Sequence, residues 1–282
     1  MPAGEEKILY HYTNQKGLLG ILQNREIWAT HSQYLNDERE FLHALDLCKT
    51  EIADRKSKLD AESETARVLS RMEDVSKWSP ETTNLFVSSF SEEPDSLPQW
   101  RAYGRGGTGY AIGFSERFLR EVSERNHWLL DRCVYDSTLQ NHIVGKIIDN
   151  VLAKTLSQVL ADISFRHPGA SLSANLSETA LFLKHESFVE EREWRIVSQP
   201  ISSTHERVCF REGKSVLIPF YKLSLLNSQN FCQVSHIVIG PTPNEKLAYR
   251  SVRTFLLKEK LSSFEIDKEV PISISQVPYR DW

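Results

Sequence analysis

The spacing of apolar positions changes repeatedly along this chain, and each change marks an element. Lys7 to Tyr12 reads as a first strand. Gly17 to Gln23 offers Leu18, Leu19, Ile21 and Leu22 as the packing side of a short helix, and Ile27 to Thr30 reads as a second strand. The segment 37–78 is mostly helical in pattern. Leu85 to Ser91 returns to strand, Ser96 to Tyr103 suits a helix, Gly109 to Phe114 is strand again, and 115–137 is mixed. From Leu139 onward, Ile143, Ile147, Val151 and Val159 recur at multiples of four, which predicts a long helix with one buried face. A second helix is expected over 176–186, and the Pro, Gly and Ser of 167–177 predict a loop between the two. The last third favours strands, at Trp194 to Ser198, Arg207 to Phe210, Ser215 to Phe220 and Val234 to Gly240. A helix over 244–260 and a final strand near 264–274 close the chain.

These elements do not alternate with the regularity of a doubly wound parallel sheet, so the expected class is α+β. With 282 residues, 40% of them hydrophobic, the chain can bury a substantial core as one domain over 1–282, with a helical insertion at about 138–186. A formal net charge of −4 gives no global attraction to nucleic-acid backbones. Cys48, Cys133, Cys209 and Cys232 form no CxxC pair, and MPAGEEK lacks the basic-then-apolar run of a secretory signal. Reduced thiols and a cytoplasmic location are therefore expected. No apolar run approaches the roughly 20 residues that cross a bilayer, so no membrane association is expected.

Several chemistries lose their support at the level of motifs. Gly104 to Gly109 satisfies GxGxxG, but a helix pattern precedes it and a strand pattern follows, the reverse of what a dinucleotide fingerprint needs. The loop also lacks the GK[ST] ending of a phosphate-binding loop. The nine histidines form no HxxxH pair and adjoin no cysteine, so no metal site is expected, and GxSxG is absent.

Three segments place polar groups on otherwise apolar elements. In ILYHYTNQKGLLGIL, His11 and Thr13 interrupt a strand just before a helix, a good place for ligand contact; the alternative is a satisfied edge histidine. In NLFVSSFSEEPDSLPQWRAYG, Ser89 and Ser91 share a strand face with Val87, while Ser88 and Phe90 point the other way. Those hydroxyls suit a sugar or phosphate, or plain cross-strand bonding. In FVEEREWRIV, Glu191 and Glu193 are two apart at a strand entry and face one side, where they repel unless a ligand or cation uses them. Arg192 and Arg195 are the candidates to neutralise them.

Taken together, YHYT at 10–13, YLND at 34–37, SFSEEPDSLPQWRAYG at 89–104, GYAIGF at 109–114, FVEEREWRIV at 188–197, IVIGP at 237–241 and PYR at 278–280 resemble a known family. It is the bacterial domain-of-unknown-function family 2971 (DUF2971), which is similar in pattern to the ADP-ribosyltransferases. The resemblance spans nearly the whole chain. It implies a split mixed sheet, NAD as the substrate, and cleavage of its glycosidic bond with transfer of ADP-ribose to a protein, a nucleic acid or water. A role as a bacterial toxin or antiphage effector goes with it.

Residue by residue, the resemblance implies Glu193 as the catalytic carboxylate, with Glu191 orienting the acceptor. It implies His11 on the adenosine ribose, supported by Thr13 and beside Tyr12 of the same motif. Ser89 or Ser91 follows as the hydroxyl residue, Tyr34 or Trp100 as a stacking surface, and Arg101 and Arg195 at the pyrophosphate or paired with Glu191. The sequence departs from that superfamily in having no Ser-Thr-Ser triplet and no identifiable acceptor loop. Two alternatives stand beside this reading. One is a binding module that keeps the groove without turnover, in which Glu193 merely pairs with arginine; the other is a nuclease that groups Glu191, Glu193 and Asp37 or Asp95 around a divalent ion.

Overall fold

The computed structural model of the chain describes residues 6–35, 39–73, 84–104, 109–160, 168–262 and 269–278. Its strands are β1 (Ile8–Thr13), β2 (Glu26–His31), β3 (Phe86–Ser91), β4 (Tyr110–Ser115), β5 (Leu129–Arg132), β6 (Glu193–Val197), β7 (Val208–Glu212), β8 (Leu217–Ser224), β9 (His236–Ile239) and β10 (Ile272–Ile274). The helices are α1 (Gln15–Asn24), α2 (Arg39–Ser57), α3 (Glu64–Glu73), α4 (Leu97–Tyr103), α5 (Glu116–Arg125), α6 (Ser137–Leu160), α7 (Pro168–Ala180) and α8 (Glu245–Lys258). The α+β expectation holds, with one mixed sheet in which β9 and β10 are the parallel pair.

The sheet branches at β3. Along one edge β3 pairs with β6 from Val87↔Val197 to Ser91↔Glu193, and β5 lies beyond β6. Its other edge is shared. β2 takes the first part, at Thr30↔Val87 and His31↔Phe86, and β1 takes the end, at Tyr10↔Ser91. The limb β10-β9-β4-β1 and the limb β2-β8-β7 therefore diverge along β3 and leave the edge around Ser89 without a neighbouring strand. The connection α1 spans the divergence, and its ends are set locally. The Asn14 side chain accepts from the Gly17 N–H, and Arg25 stops the helix in the left-handed region at φ 56°.

Alternation along the strands sends the two faces of the sheet to different layers. Leu9, Phe86, Phe90, Ile112, Phe114, Trp194 and Ile196 pack into the main core with α1 and α5. A second core is mainly helical and collects Ala44, Cys48 and Ile52 of α2, Val68, Leu69 and Met72 of α3, Val144, Ile148 and Val151 of α6, and Leu172, Leu176 and Ala180 of α7, with Leu183 after it. The expected insertion at 138–186 is thus half of a four-helix layer, completed by α2 and α3 from an earlier excursion. The expected loop at 167–177 is instead the body of α7. Its Pro168 stands at the first helical position, where a missing N–H costs nothing, and Leu172, Leu176 and Ala180 recur at four to form the buried face. Among the described residues no helix is long and apolar enough to cross a membrane.

Two glycines of the sequence motifs serve one tryptophan. Trp100 of α4 is 2% exposed, and a Cβ on Gly109 or Gly240 would come within 3.1 and 3.0 Å of its ring. The Gly240 N–H also donates to the Gly109 carbonyl at 2.9 Å, so both backbones close on the indole. Residues 105–108 of the glycine-rich loop lie outside the described residues, between helix α4 and strand β4 in the chain.

Candidate functional site

An open groove of about 880 Å³ runs along the unpaired edge of β3, a size that accommodates a nucleotide-scale ligand. Its walls come from β1, the start of α1, β2, β3, α4 and β7, together with the turn that precedes β6. His11, Tyr12, Thr13, Tyr34, Ser89, Ser91, Glu191 and Glu193 all reach it. The structure therefore gathers residues from four distant segments into one site.

His11 stands in the divergence of the sheet. Its Nδ1 lies 2.9 Å from the Ser89 carbonyl oxygen, which can only accept, so Nδ1 carries the proton and Nε2 of the neutral ring is left as an acceptor. Burial pushes the imidazole below its ordinary pKa, against the smaller upward pull of the Ser89 carbonyl. At neutral pH the groove thus holds a hydrogen-bond acceptor of fixed tautomer at this point.

Glu193 opens β6 and is buried. Arg195 grips it from the same strand face, Nε to Oε1 at 2.8 Å and Nη2 to Oε2 at 3.0 Å, while Lys184 reaches Oε2 at 2.6 Å. Its backbone is pinned as well, the N–H donating to the Tyr135 hydroxyl at 3.0 Å and the carbonyl accepting from the Cys133 N–H at 2.8 Å. Burial alone would raise the carboxyl, but the charges of Arg195 and Lys184 and their hydrogen bonds outweigh it and hold the group at about 2. A carboxylate offers about four acceptor positions. The three bonds from Arg195 and Lys184 leave room on Oε1 for one more donor.

Glu191 sits in the 3-10 turn over Glu186–Glu191 and shares the same ammonium, Lys184 Nζ to Oε2 at 2.7 Å. The turn is fastened by Ser91, whose buried hydroxyl donates to the Glu191 carbonyl at 2.7 Å and accepts from the Glu93 N–H at 3.1 Å. Ser91 is therefore a positioning residue for the carboxylates, with its hydroxyl already engaged. Ser88, on the opposite face of β3, is 2% exposed, and its buried hydroxyl has no partner among the described residues. Gln99 and Tyr103 of α4 complete this end; Tyr103 is 40% exposed as a residue, and its phenol is pushed up by desolvation and then by Glu193 and Glu191.

The remaining expected residues sit elsewhere or are committed elsewhere. Trp100 is buried, with its Nε1 donating to Asp95 at 2.7 Å and its ring edge-on to Tyr12 at 4.7 Å, so it cannot stack on a ligand. Tyr12 lines the groove, yet its hydroxyl is committed to the 92–96 turn, donating to the Glu93 carbonyl at 2.6 Å and accepting from the Ser96 N–H at 3.1 Å. Arg195 is 3% exposed and bound to Glu193 and the Leu181 carbonyl, which removes it from any pyrophosphate. Arg101 is exposed on α4 and is not among the groove residues. Tyr34 does line the groove, edge-on to His31 at 5.6 Å. Arg192 pairs with Glu93 rather than with Glu191 or Glu193.

The metal arrangement is not assembled among the described residues. Glu193 faces two cations, Asp95 is occupied by Trp100, Ser275 and Gln276, and no three of the described His, Cys, Asp or Glu side chains converge. Asp37 lies outside the described residues. Sequence reasoning missed Lys184, whose one signal is a lysine closing the apolar run LFLK just before the two glutamates. It also missed Arg211 of β7, which has no motif around it.

Residues 99–196 of the 282 match the model of a family described as a protein of unknown function (DUF2971). The match supports the resemblance over that stretch, which runs from α4 through β6. It contains Gln99, Tyr103, Lys184, Glu191, Glu193 and Arg195, while His11, Ser89 and Arg211 lie outside it. No curated protein and no solved structure matches the chain.

Proposed function

We propose that the groove binds NAD and that the protein cleaves its nicotinamide glycosidic bond, as an enzyme of the ADP-ribosyltransferase type. The observation that carries the reading is a carboxylate held in place and ionised by Arg195 and Lys184, Glu193, in one groove with a neutral histidine of fixed tautomer, His11. A divided sheet whose divergence forms the groove agrees with that superfamily's architecture as the resemblance implies it.

In this account the bond between C1′ of the ribose and the pyridinium nitrogen breaks, its electron pair leaves with nicotinamide, and positive charge develops on the sugar ring. Glu193 accepts a hydrogen bond from a ribose hydroxyl at the open position on Oε1 and opposes that charge without moving, a preorganised effect of about 3–4 kcal/mol. His11 accepts from the adenosine ribose through Nε2, with Thr13 beside it. Glu191, bound on one oxygen only, orients the acceptor and takes its proton as the new bond to C1′ forms. The acceptor is a macromolecule or water. Incubation with NAD, with and without EDTA, tests the reading: nicotinamide release that persists in EDTA is expected, and no release from folded protein contradicts it.

One observation favours a second reading, a nucleotide-binding module without turnover. Lys184 and Arg195 together cancel the charge of the two glutamates, the pairing that a purely structural role requires. Under that reading ADP-ribose binds and NAD is left intact.

A further inference from the structure

On β7, away from Glu191 and Glu193, the groove holds an arginine that no carboxylate of the described residues pairs with, although Glu212 of the same strand also lines it. Arg211 of β7 donates through Nη2 to the Thr30 hydroxyl at 2.9 Å, and its Nε is buried without a partner. Neither Arg211 nor Lys16, which also lines the groove, has a carboxylate partner among the described residues. A half-buried guanidinium with an unsatisfied donor is costly unless something supplies the acceptor. Beside it stands Trp28, one face stacked on Phe220 at 4.2 Å and the residue 44% exposed, on the same sheet face as Thr30. An orphan guanidinium donor, a free ammonium and an open indole face in one groove match the parts of a nucleoside diphosphate.

We propose that Arg211 forms a diphosphate subsite, with Trp28 as the stacking surface for the base and Lys16 as a second cation lining the same groove. The choice of ligand rests on the nucleotide reading of the groove, but the subsite does not depend on turnover. A guanidinium presents its donors in a planar fork that meets two phosphate oxygens at once, and on Arg211 the Nη1 edge with the second N–H of Nη2 is such a fork once Thr30 has taken the first. The Thr30 hydroxyl holds the guanidinium in place through Nη2. This assigns to Arg211 the role that the resemblance would have given to Arg101 or Arg195.

Calorimetric titration of the whole protein with ADP-ribose, ADP, inorganic pyrophosphate and adenosine tests it. ADP-ribose and ADP are expected to bind at least about tenfold more tightly than adenosine, and Arg211→Gln to weaken both by about tenfold or more, with adenosine unchanged. Arg211→Lys should restore part of the loss, because it keeps the charge and loses the fork. Lys16→Gln changes an exposed side chain with no partner among the described residues to lose, and it should weaken ADP less than Arg211→Gln does. Trp28→Ala should weaken ADP and adenosine alike and spare pyrophosphate. Equal ADP affinity in wild type and a folded Arg211→Gln, or no phosphate-bearing ligand bound by wild type, would overturn the subsite. Arg211-dependent ADP binding without any nicotinamide release would keep it and remove the catalytic reading instead.

Discussion

Lys184 Nζ lies 2.6 Å from a carboxylate oxygen of Glu193, and both side chains are almost wholly enclosed. The ammonium reaches Glu191 as well, so one lysine joins the helical layer's exit to both carboxylates of the groove. Burial of Lys184 opposes its charge, yet Glu193 first and then the hydrogen bonds raise its pKa. The pair is stable as ions only while both partners are present.

Lys184→Met should therefore destabilise the protein by about 3 kcal/mol in urea melts, because Glu193 loses a cation it cannot replace with water. Lys7→Ala breaks a pair in which the lysine is 42% exposed, and it should cost no more than about 1 kcal/mol. Equal small losses would contradict the view that Lys184 organises the site.

The pH profile gives an independent reading of the same cluster. The Glu193 carboxyl is lowered in the folded protein from 4.5 to about 2, so its contribution is complete above 4.5 and is lost as the pH falls toward 2. Glu193→Gln should flatten the stability profile between those values relative to wild type. Identical slopes in acid unfolding would show that the carboxylate is not held as described.

His11 adds a pH dependence to binding. Its Nε2 accepts only while the ring is neutral, and burial moves the pKa below the ordinary 6.5. Affinity for ADP-ribose should be flat through neutral pH and fall on the acid side of that value, and His11→Ala should lose the acid limb together with affinity. A wild-type acid limb that persists in His11→Ala would place the titrating group elsewhere.

Trp100 offers a contrast between packing and binding. Gly240→Ala pushes a methyl to 3.0 Å from both the indole and the Gly109 carbonyl, and it should lower stability by about 1–3 kcal/mol while leaving NAD affinity unchanged in the folded protein. Tyr34→Ala, at the groove wall, should do the reverse. NAD affinity that falls with Gly240→Ala at full folding would return Trp100 to the site.

What was legible in the sequence was local. Short strand-like apolar runs located β1, β3, β4 and β6, the last three buried on both faces, and the multiples of four located α6. Helix α7 was hidden because Pro168 and Gly169 are turn residues wherever their helical position is unknown. His11, Glu191 and Glu193 were legible as polar interruptions of apolar runs. Of their partners, Arg195 was legible as a candidate to neutralise them and does pair with Glu193, whereas Lys184 was not, since it reaches both glutamates through a three-dimensional pairing that spacing does not encode. Trp100 and Arg195 carried the chemistry of ligand contact by residue type, and only burial shows that one fills a slot between two glycines and the other is spent on Glu193. Arg211 became visible only as an unsatisfied donor in a groove.

The most direct measurement is nicotinamide release from NAD, in EDTA, by wild type and by Glu193→Gln, with cell lysate supplied as an acceptor source and folding matched by near-UV circular dichroism. Because the substitution also unbalances Lys184 and Arg195, Glu191→Gln, with its half-exposed side chain, serves as the second variant. The account predicts release by wild type, a loss of about a hundredfold or more in Glu193→Gln with ADP-ribose still bound, and a smaller loss in Glu191→Gln. No release by folded wild type, or equal release by wild type and Glu193→Gln, would contradict it.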